Sequence, residues 1–159
     1  MTLVAEIALE SFVLLRLGER RFAVRARQIV ELIAPSRVFR FPHNTTAVEG
    51  AILRRGRIIP VCDISEQLVG TKLSVRRFYL IATRLFGVRK EPVALPVSGD
   101  CELITVDMTA RSESDSTHVA GWLSHGGDVI EVLDLEALTP GIPAVRATAP
   151  ALQPVEVRA

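Results

Sequence analysis

The chain has little of several things that would give a function away. It holds two cysteines in 159 residues, Cys62 and Cys101, too few for a disulfide framework, so free thiols in a reducing, cytoplasmic compartment are expected. Aromatic residues make up 5%, and Phe12, Phe22 and Phe78 sit at core-like strand positions, which leaves no stacking platform for single-stranded nucleic acid. Neither sign of charge is in excess. The 19 basic and 18 acidic residues give a net charge of +1, without an electrostatic footprint for nucleic acid or for a cationic partner. No apolar run approaches membrane-spanning length, and Met1 to Leu9 carries Glu6 but no basic residue, so the charged front of a secretory signal is missing. Lysine is scarce too: apart from Lys72 and Lys90 every basic residue is arginine, whose guanidinium suits partly desolvated protein contacts.

Catalytic signatures are also missing. There is no Gly-x-Ser-x-Gly elbow, no phosphate loop leading into Lys-Ser/Thr and no His-Glu-x-x-His. His43, His118 and His125 are scattered without cysteine or carboxylate neighbours at ligand spacing, so neither a metal nor another cofactor is expected.

What is present is globular: hydrophobic residues are 48% and charged residues 23%. Phe12 to Leu17 reads as a strand that turns at Gly18-Glu19 into Arg21 to Val24, and Ala26 to Gln28 allows one helical turn. The β-branched run Ile29 to Ile33 is a strand ending before Pro35. Gly50 to Arg54 and Arg57 to Val61 make a hairpin with an arginine-rich tip, followed by a short helix from Ile64 to Leu68. Asp63 and Glu66 have the spacing of a capping box. The pattern then recurs. A shift of 71 positions places Gly50 on Gly121, Gly56 on Gly127, Val61 on Val132 and Asp63 on Asp134, and Phe22-Ala23-Val24 on Val93-Ala94-Leu95. In the second half, strands are expected at Arg77 to Ala82, Leu103 to Val106, His118 to Leu123 and Val129 to Leu133, with Asp134 capping a helix through Leu138. The turn before Val93 is expected to be longer than its counterpart in the first half, and Ser112 to Ser116 to be a polar loop.

Many short strands with turn signals between them argue for small β-barrels, which remove exposed edges by closing. Two units of about sixty residues are each too small for a good private core, so they are expected to share an apolar interface and leave a groove between them. Two repeated aspartates in a β protein raise the idea of a two-carboxylate protease. However, Asp63-Ile64-Ser65 and Asp134-Leu135-Glu136 lead straight into apolar helical turns, and capping explains both better.

These residues resemble the CheW-like domain of bacterial chemotaxis from Phe12 to about Leu138. Phe12 to Gly18 with Phe22-Ala23-Val24 resembles the family's opening hairpin, and Ile29-Val30-Glu31-Leu32 its Val-x-Glu-Ile/Val strand. Phe41-Pro42-His43-Asn44 resembles the loop before the Gly-Val-Ile-Asn-Leu-Arg-Gly-x-Ile-x-Pro-Val-x-Asp-Leu signature, here Gly50 to Ile64, and Gly127 to Leu135 the closing strand and helix. The resemblance implies a mainly β fold of two interlocked, small, five-stranded SH3-like β-barrel subdomains with short helices, and no catalysis. It divides the chain into an N-terminal extension (1–10), the domain (11–138, its halves about 11–70 and 76–138) and a Pro/Ala-rich tail (139–159) expected to be mobile.

The implied role is a cytoplasmic scaffold that joins a CheA-type histidine kinase, through the kinase's CheW-like regulatory domain, to the cytoplasmic helical tips of chemoreceptors. By resemblance Ile29, Glu31, Gly50 and Arg55 lie at partner-contact positions, and Arg54 and Gly56 complete the tip. Gly50 and Gly56 allow close backbone approach, and Arg55 offers a fork of donors. On this reading Gly50→Asp would weaken binding without disturbing the fold. The departures are Leu53 and Arg54, where the signature has Asn and Leu, so that polarity has switched faces or the tip is rearranged. Pro96 also removes a ladder donor, and Thr45 stands where a second proline is common. They motivate an alternative: a divergent regulator of a pilus or other non-flagellar pathway, binding one partner only.

Overall fold

The computed structural model describes residues 9–40, 48–110 and 117–139. Most of the N-terminal extension, the Phe41 to Thr45 motif, the Ser112 to Ser116 loop and the tail from Pro140 lie outside the described residues. Eleven strands and two short helices follow in order. They are β1 (Glu10–Leu17), β2 (Arg20–Arg25), one 3-10 turn (Ala26–Gln28), β3 (Ile29–Ile33), β4 (Gly50–Arg54), β5 (Arg57–Val61) and α1 (Ser65–Val69). After these come β6 (Phe78–Phe86), β7 (Arg89–Val97), β8 (Glu102–Val106), β9 (Thr109–Ala110), β10 (Val119–His125), β11 (Asp128–Leu133) and α2 (Leu135–Leu138).

The strands form two sheets, ordered β8-β1-β2-β11-β10-β9 and β3-β6-β7-β5-β4. The fold is mainly β, as the patterning implies, and the sheets interlock. The first hairpin, β1–β2, pairs with β8 and β11 from the second half, while β6–β7 pairs with β3 and β5 from the first. The two parallel contacts, Val132↔Ala23 and Val61↔Ala94, exchange under the 71-residue shift. Each half therefore lends its opening hairpin to the other half's sheet. The six-stranded sheet exceeds the expected five through the two-residue β9, whose counterpart in the other sheet is an isolated bridge from Phe39 to Ala51.

Interlocking explains why the central strands are apolar on both faces, a pattern of strands covered on two sides. Phe12 and Leu14 of β1 face an apolar cluster with Ala23, Ile104, Leu123, Ile130 and Val132. The neighbouring Leu15 and Leu17 point the other way, into a larger cluster with Phe22, Val24, Cys62, Leu80, Val93, Leu95 and Leu133. In the second sheet Tyr79, Ile81 and Ala94 face a third cluster with Ile52, Ile59 and Val61. There are thus two small private cores and one larger shared core, and α1 and α2 close the shared one with Leu68, Leu135 and Leu138.

Three local expectations need correction. The β6–β7 turn is only Gly87-Val88; the additional residues lengthen the strands, which pair from Phe78↔Val97 to Phe86↔Arg89. This arm leaves the core, so Leu85, Phe86 and Val88 are exposed, and its mixed polarity conceals the pairing. The capping box at α1 does not form. Asp63 Oδ1 accepts from the backbone N–H of Ser65 at 2.9 Å and from its hydroxyl, while Oδ2 accepts from Arg76 at 2.9 Å. Arg76 also pairs with Glu49, and this ion network anchors the carboxylate at the first residue of α1. At α2, by contrast, Asp134 accepts from the N–H of Ala137 at 3.1 Å, an ordinary N-cap. Finally, Pro96 breaks no ladder. It shares parity with Ala94, whose carbonyl faces β5 and accepts from Cys62 at 2.9 Å, and β5 pairs with β7 only at Ala94. The missing N–H therefore points beyond the end of β5.

Candidate functional site

β3 and β4 are the outer strands of the five-stranded sheet, and one side-chain pair joins them. Glu31, on β3, accepts from Arg54 Nε at 3.1 Å and Nη2 at 2.8 Å, a bidentate fork closing the sheet on itself. Arg55 Nη2 lies 3.9 Å from the same carboxylate. The Arg54 hydrogen bond, against an opposing effect of burial, holds the Glu31 carboxyl below its ordinary range, and Glu31 in turn raises Arg54.

Arg54 is thus tightly engaged within the chain, whereas Arg55 makes only the long ion pair to Glu31 and its side chain is 75% exposed. The tip geometry is a two-residue hairpin turn with φ of 53° at Arg55 and 77° at Gly56, the pattern of a type I′ turn that favours Asn-Gly. Its repeat carries Gly126 and Gly127, with φ of 60° and 84°. Arginine therefore occupies a left-handed position where the other half of the chain uses glycine, at a strain of about 1 kcal/mol.

Pairing along β4–β5 runs unbroken from Gly50↔Val61 to Arg54↔Arg57, so the tip is not rearranged; polarity has switched faces. Ile52 points into the core and Leu53 outward, 52% exposed. Val30 and Leu32 on β3 are exposed as well. These three exposed apolar side chains were not among the site residues read from the sequence. The one cue was the run Ile29 to Ile33, which lacks the polar alternation of a strand with one wet face.

The remaining candidates have structural duties. Ile29 is half-buried against the shared core. A Cβ on Gly50 would lie 2.4 Å from the Phe39 carbonyl oxygen, which bonds Ala51 N at 2.7 Å, so Gly50→Asp would disturb the fold. Gly121 stands in the same relation to Thr109, also at 2.4 Å. Asp63 and Asp134 are engaged as described, and among the described residues no cluster of His, Cys, Asp or Glu has the arrangement of a metal site. Both cysteines are free thiols, pushed up to about 12 for Cys62 and about 11 for Cys101, mainly by burial. No described helix is long and apolar enough to cross a membrane.

The CheW-like domain model matches residues 11–84. The fold is similar to that of the scaffolding protein TtCheW from Thermoanaerobacter tengcongensis, with a TM-score of 0.68 and 20% identity over 87% of this chain and 92% of that one. A search of curated proteins finds no match. Residues 11–84 thus match the CheW-like domain family, and the fold that extends from them over most of the chain is that of a CheW scaffolding protein.

Proposed function

We propose that this chain is a non-enzymatic, cytoplasmic scaffold of chemotaxis signalling, coupling chemoreceptors to a CheA-type histidine kinase through the β3–β4 surface. The observation that carries the reading is that surface: Val30, Leu32 and Leu53 are exposed on these two strands, and Arg55 projects from a strained turn at the end of β4. Exposed apolar side chains together with a largely exposed arginine are the composition of a protein-docking patch. The fold match to a scaffolding protein supports the same role. The partners are the kinase's CheW-like regulatory domain and the helical tip of a receptor.

The test is co-purification and titration calorimetry with each purified partner. Arg55→Asn suits it better than alanine, because asparagine tolerates the left-handed turn. We expect this variant to be at least as stable as the parent, by up to about 1 kcal/mol, and to bind at least one partner about tenfold more weakly. Undiminished binding to both partners would remove the site assignment. The outward Leu53 and the Arg54–Glu31 pair give this patch a polarity unlike the family signature, which favours a second reading as a regulator of a non-flagellar or pilus pathway. Binding to one partner alone would select it.

A further inference from the structure

The shared core has one charged side chain at its margin. Arg84 follows Leu80 and Ala82 along the core-facing side of β6 and is 5% exposed. Its Nε and Nη1 are buried and make no hydrogen bond. Its one ring contact, 5.4 Å to the Phe86 centroid, leaves those Nε and Nη1 donors unused. Glu91 lies opposite on β7, yet no carboxylate among the described residues forms an ion pair with Arg84.

The repeat shows that the fold does not require a cation here. Leu15 pairs with Phe22 as Ala82 pairs with Val93, and Leu17 pairs with Arg20 as Arg84 pairs with Glu91. Arg84 therefore stands where the first half places Leu17, fully buried in the same core. An unpaired buried charge is costly unless something neutralises it, so the contrast with leucine calls for a ligand.

Space for one adjoins it. Arg84 borders a cavity of about 310 Å³ lined also by Arg25, Arg27, Gln28, Thr83, Leu85, Lys90 and Glu136, within the size range of small-ligand sites. Arg27 and Lys90 are exposed. The one carboxylate in the wall is already engaged: Glu136 Oε2 accepts from Leu85 N at 2.9 Å and from Gln28 Nε2 at 3.4 Å. We propose that this cavity binds a small oxyanion, an ion or metabolite carrying phosphate or carboxylate groups, with Arg84 as the buried anchor and Arg27 and Lys90 at the mouth. The ligand would bridge the turn after β2 to the β6–β7 arm, and thus the two interlocked sheets. The site shares no residue with the β3–β4 patch, and the scaffold reading stands or falls separately.

The test titrates the full chain with sodium phosphate and with sodium succinate, against sodium chloride of equal ionic strength, by calorimetry and thermal unfolding. Wild type is expected to bind at least one saturably, with Tm rising about 4 °C at tenfold excess over Kd. Arg84→Leu, which copies Leu17, is expected to match or exceed wild-type stability in chloride and to lose the response. This also separates binding from the general stabilisation that phosphate gives any protein. Lys90→Gln, an exposed change that spares the core, is expected to weaken binding several-fold whatever Arg84→Leu does to folding. Phosphate alone or succinate alone as ligand identifies the anion class. A wild type without a saturable response to either, or variants that respond as wild type does, would overturn the proposal.

Discussion

Glu31 sits where three demands meet: it closes β3 onto β4, orients Arg54 and lies within reach of Arg55. Its acidity records the first of these. Because Arg54 lowers its folded pKa below the ordinary 4.5, Glu31 releases its proton more readily in the folded chain than in the unfolded one. The stability it contributes is complete above the unfolded value and is lost as pH falls through the folded one. Urea unfolding at stepped pH is expected to show wild type losing stability more steeply than Glu31→Gln below about pH 4.5, with parallel curves between about pH 6 and 8. Parallel curves through the acid range as well would mean that solvent screens this pair, whose side chains are 23% and 35% exposed, to nothing. The arginines of the tip were legible in the sequence, but their division of labour was not. Glu31 and Arg54 meet only because the first and last strands of one sheet close on each other, a contact that no local spacing records.

At the scale of elements, the repeat places two aspartates at equivalent positions and gives them different duties. Asp134 makes a single cap bond, to Ala137. Asp63 accepts from Ser65 at the start of α1 and also holds Arg76, with its side chain only 5% exposed. Asp134→Ala is expected to cost about 1 kcal/mol, whereas Asp63→Ala takes one of two carboxylates from a partly buried guanidinium, together with the Ser65 bonds, and is expected to cost about 2 kcal/mol. Guanidinium denaturation of the two variants side by side checks the difference; equal losses would show that Glu49 alone satisfies Arg76. The hairpins, most strands and the Asp134 cap were readable because glycines, β-branched runs and aspartates act on their immediate neighbours. The β6–β7 arm was not. Leu85-Phe86 and Arg89-Lys90 pair with each other beyond the core, so no burial imposes a pattern on them, and two strand ends read as one long turn. Val30, Leu32 and Leu53 were not picked out as site residues for a different reason, since apolar residues on an exposed face carry no mark that separates them from core residues.

For the whole molecule, the sequence repeat and the spatial repeat are different partitions of one chain. The repeat divides the sequence near residue 75, yet each sheet draws strands from both sides of that point. The hairpins β1–β2 and β6–β7 each separate a private core from the shared one. Removing either half would leave the other's opening hairpin with one apolar face against water and the remaining strands without their central pair. At about 25 cal/mol per Å² of apolar surface, such exposure exceeds the stability margin of a domain this small. Fragments 1–73 and 74–159, cut between α1 and β6, are therefore expected to be unfolded or aggregated when separate. Mixed at equal concentration, they are expected to recover the native near-ultraviolet signal of Trp122 and Tyr79. Labelling of Cys62, which is fully buried in the shared core, should be fast in the first fragment alone and slow in the complex. A single fragment that folds as a monomer with Cys62 protected would show that each half can close its own sheet, with its opening hairpin folded back in place of the borrowed one.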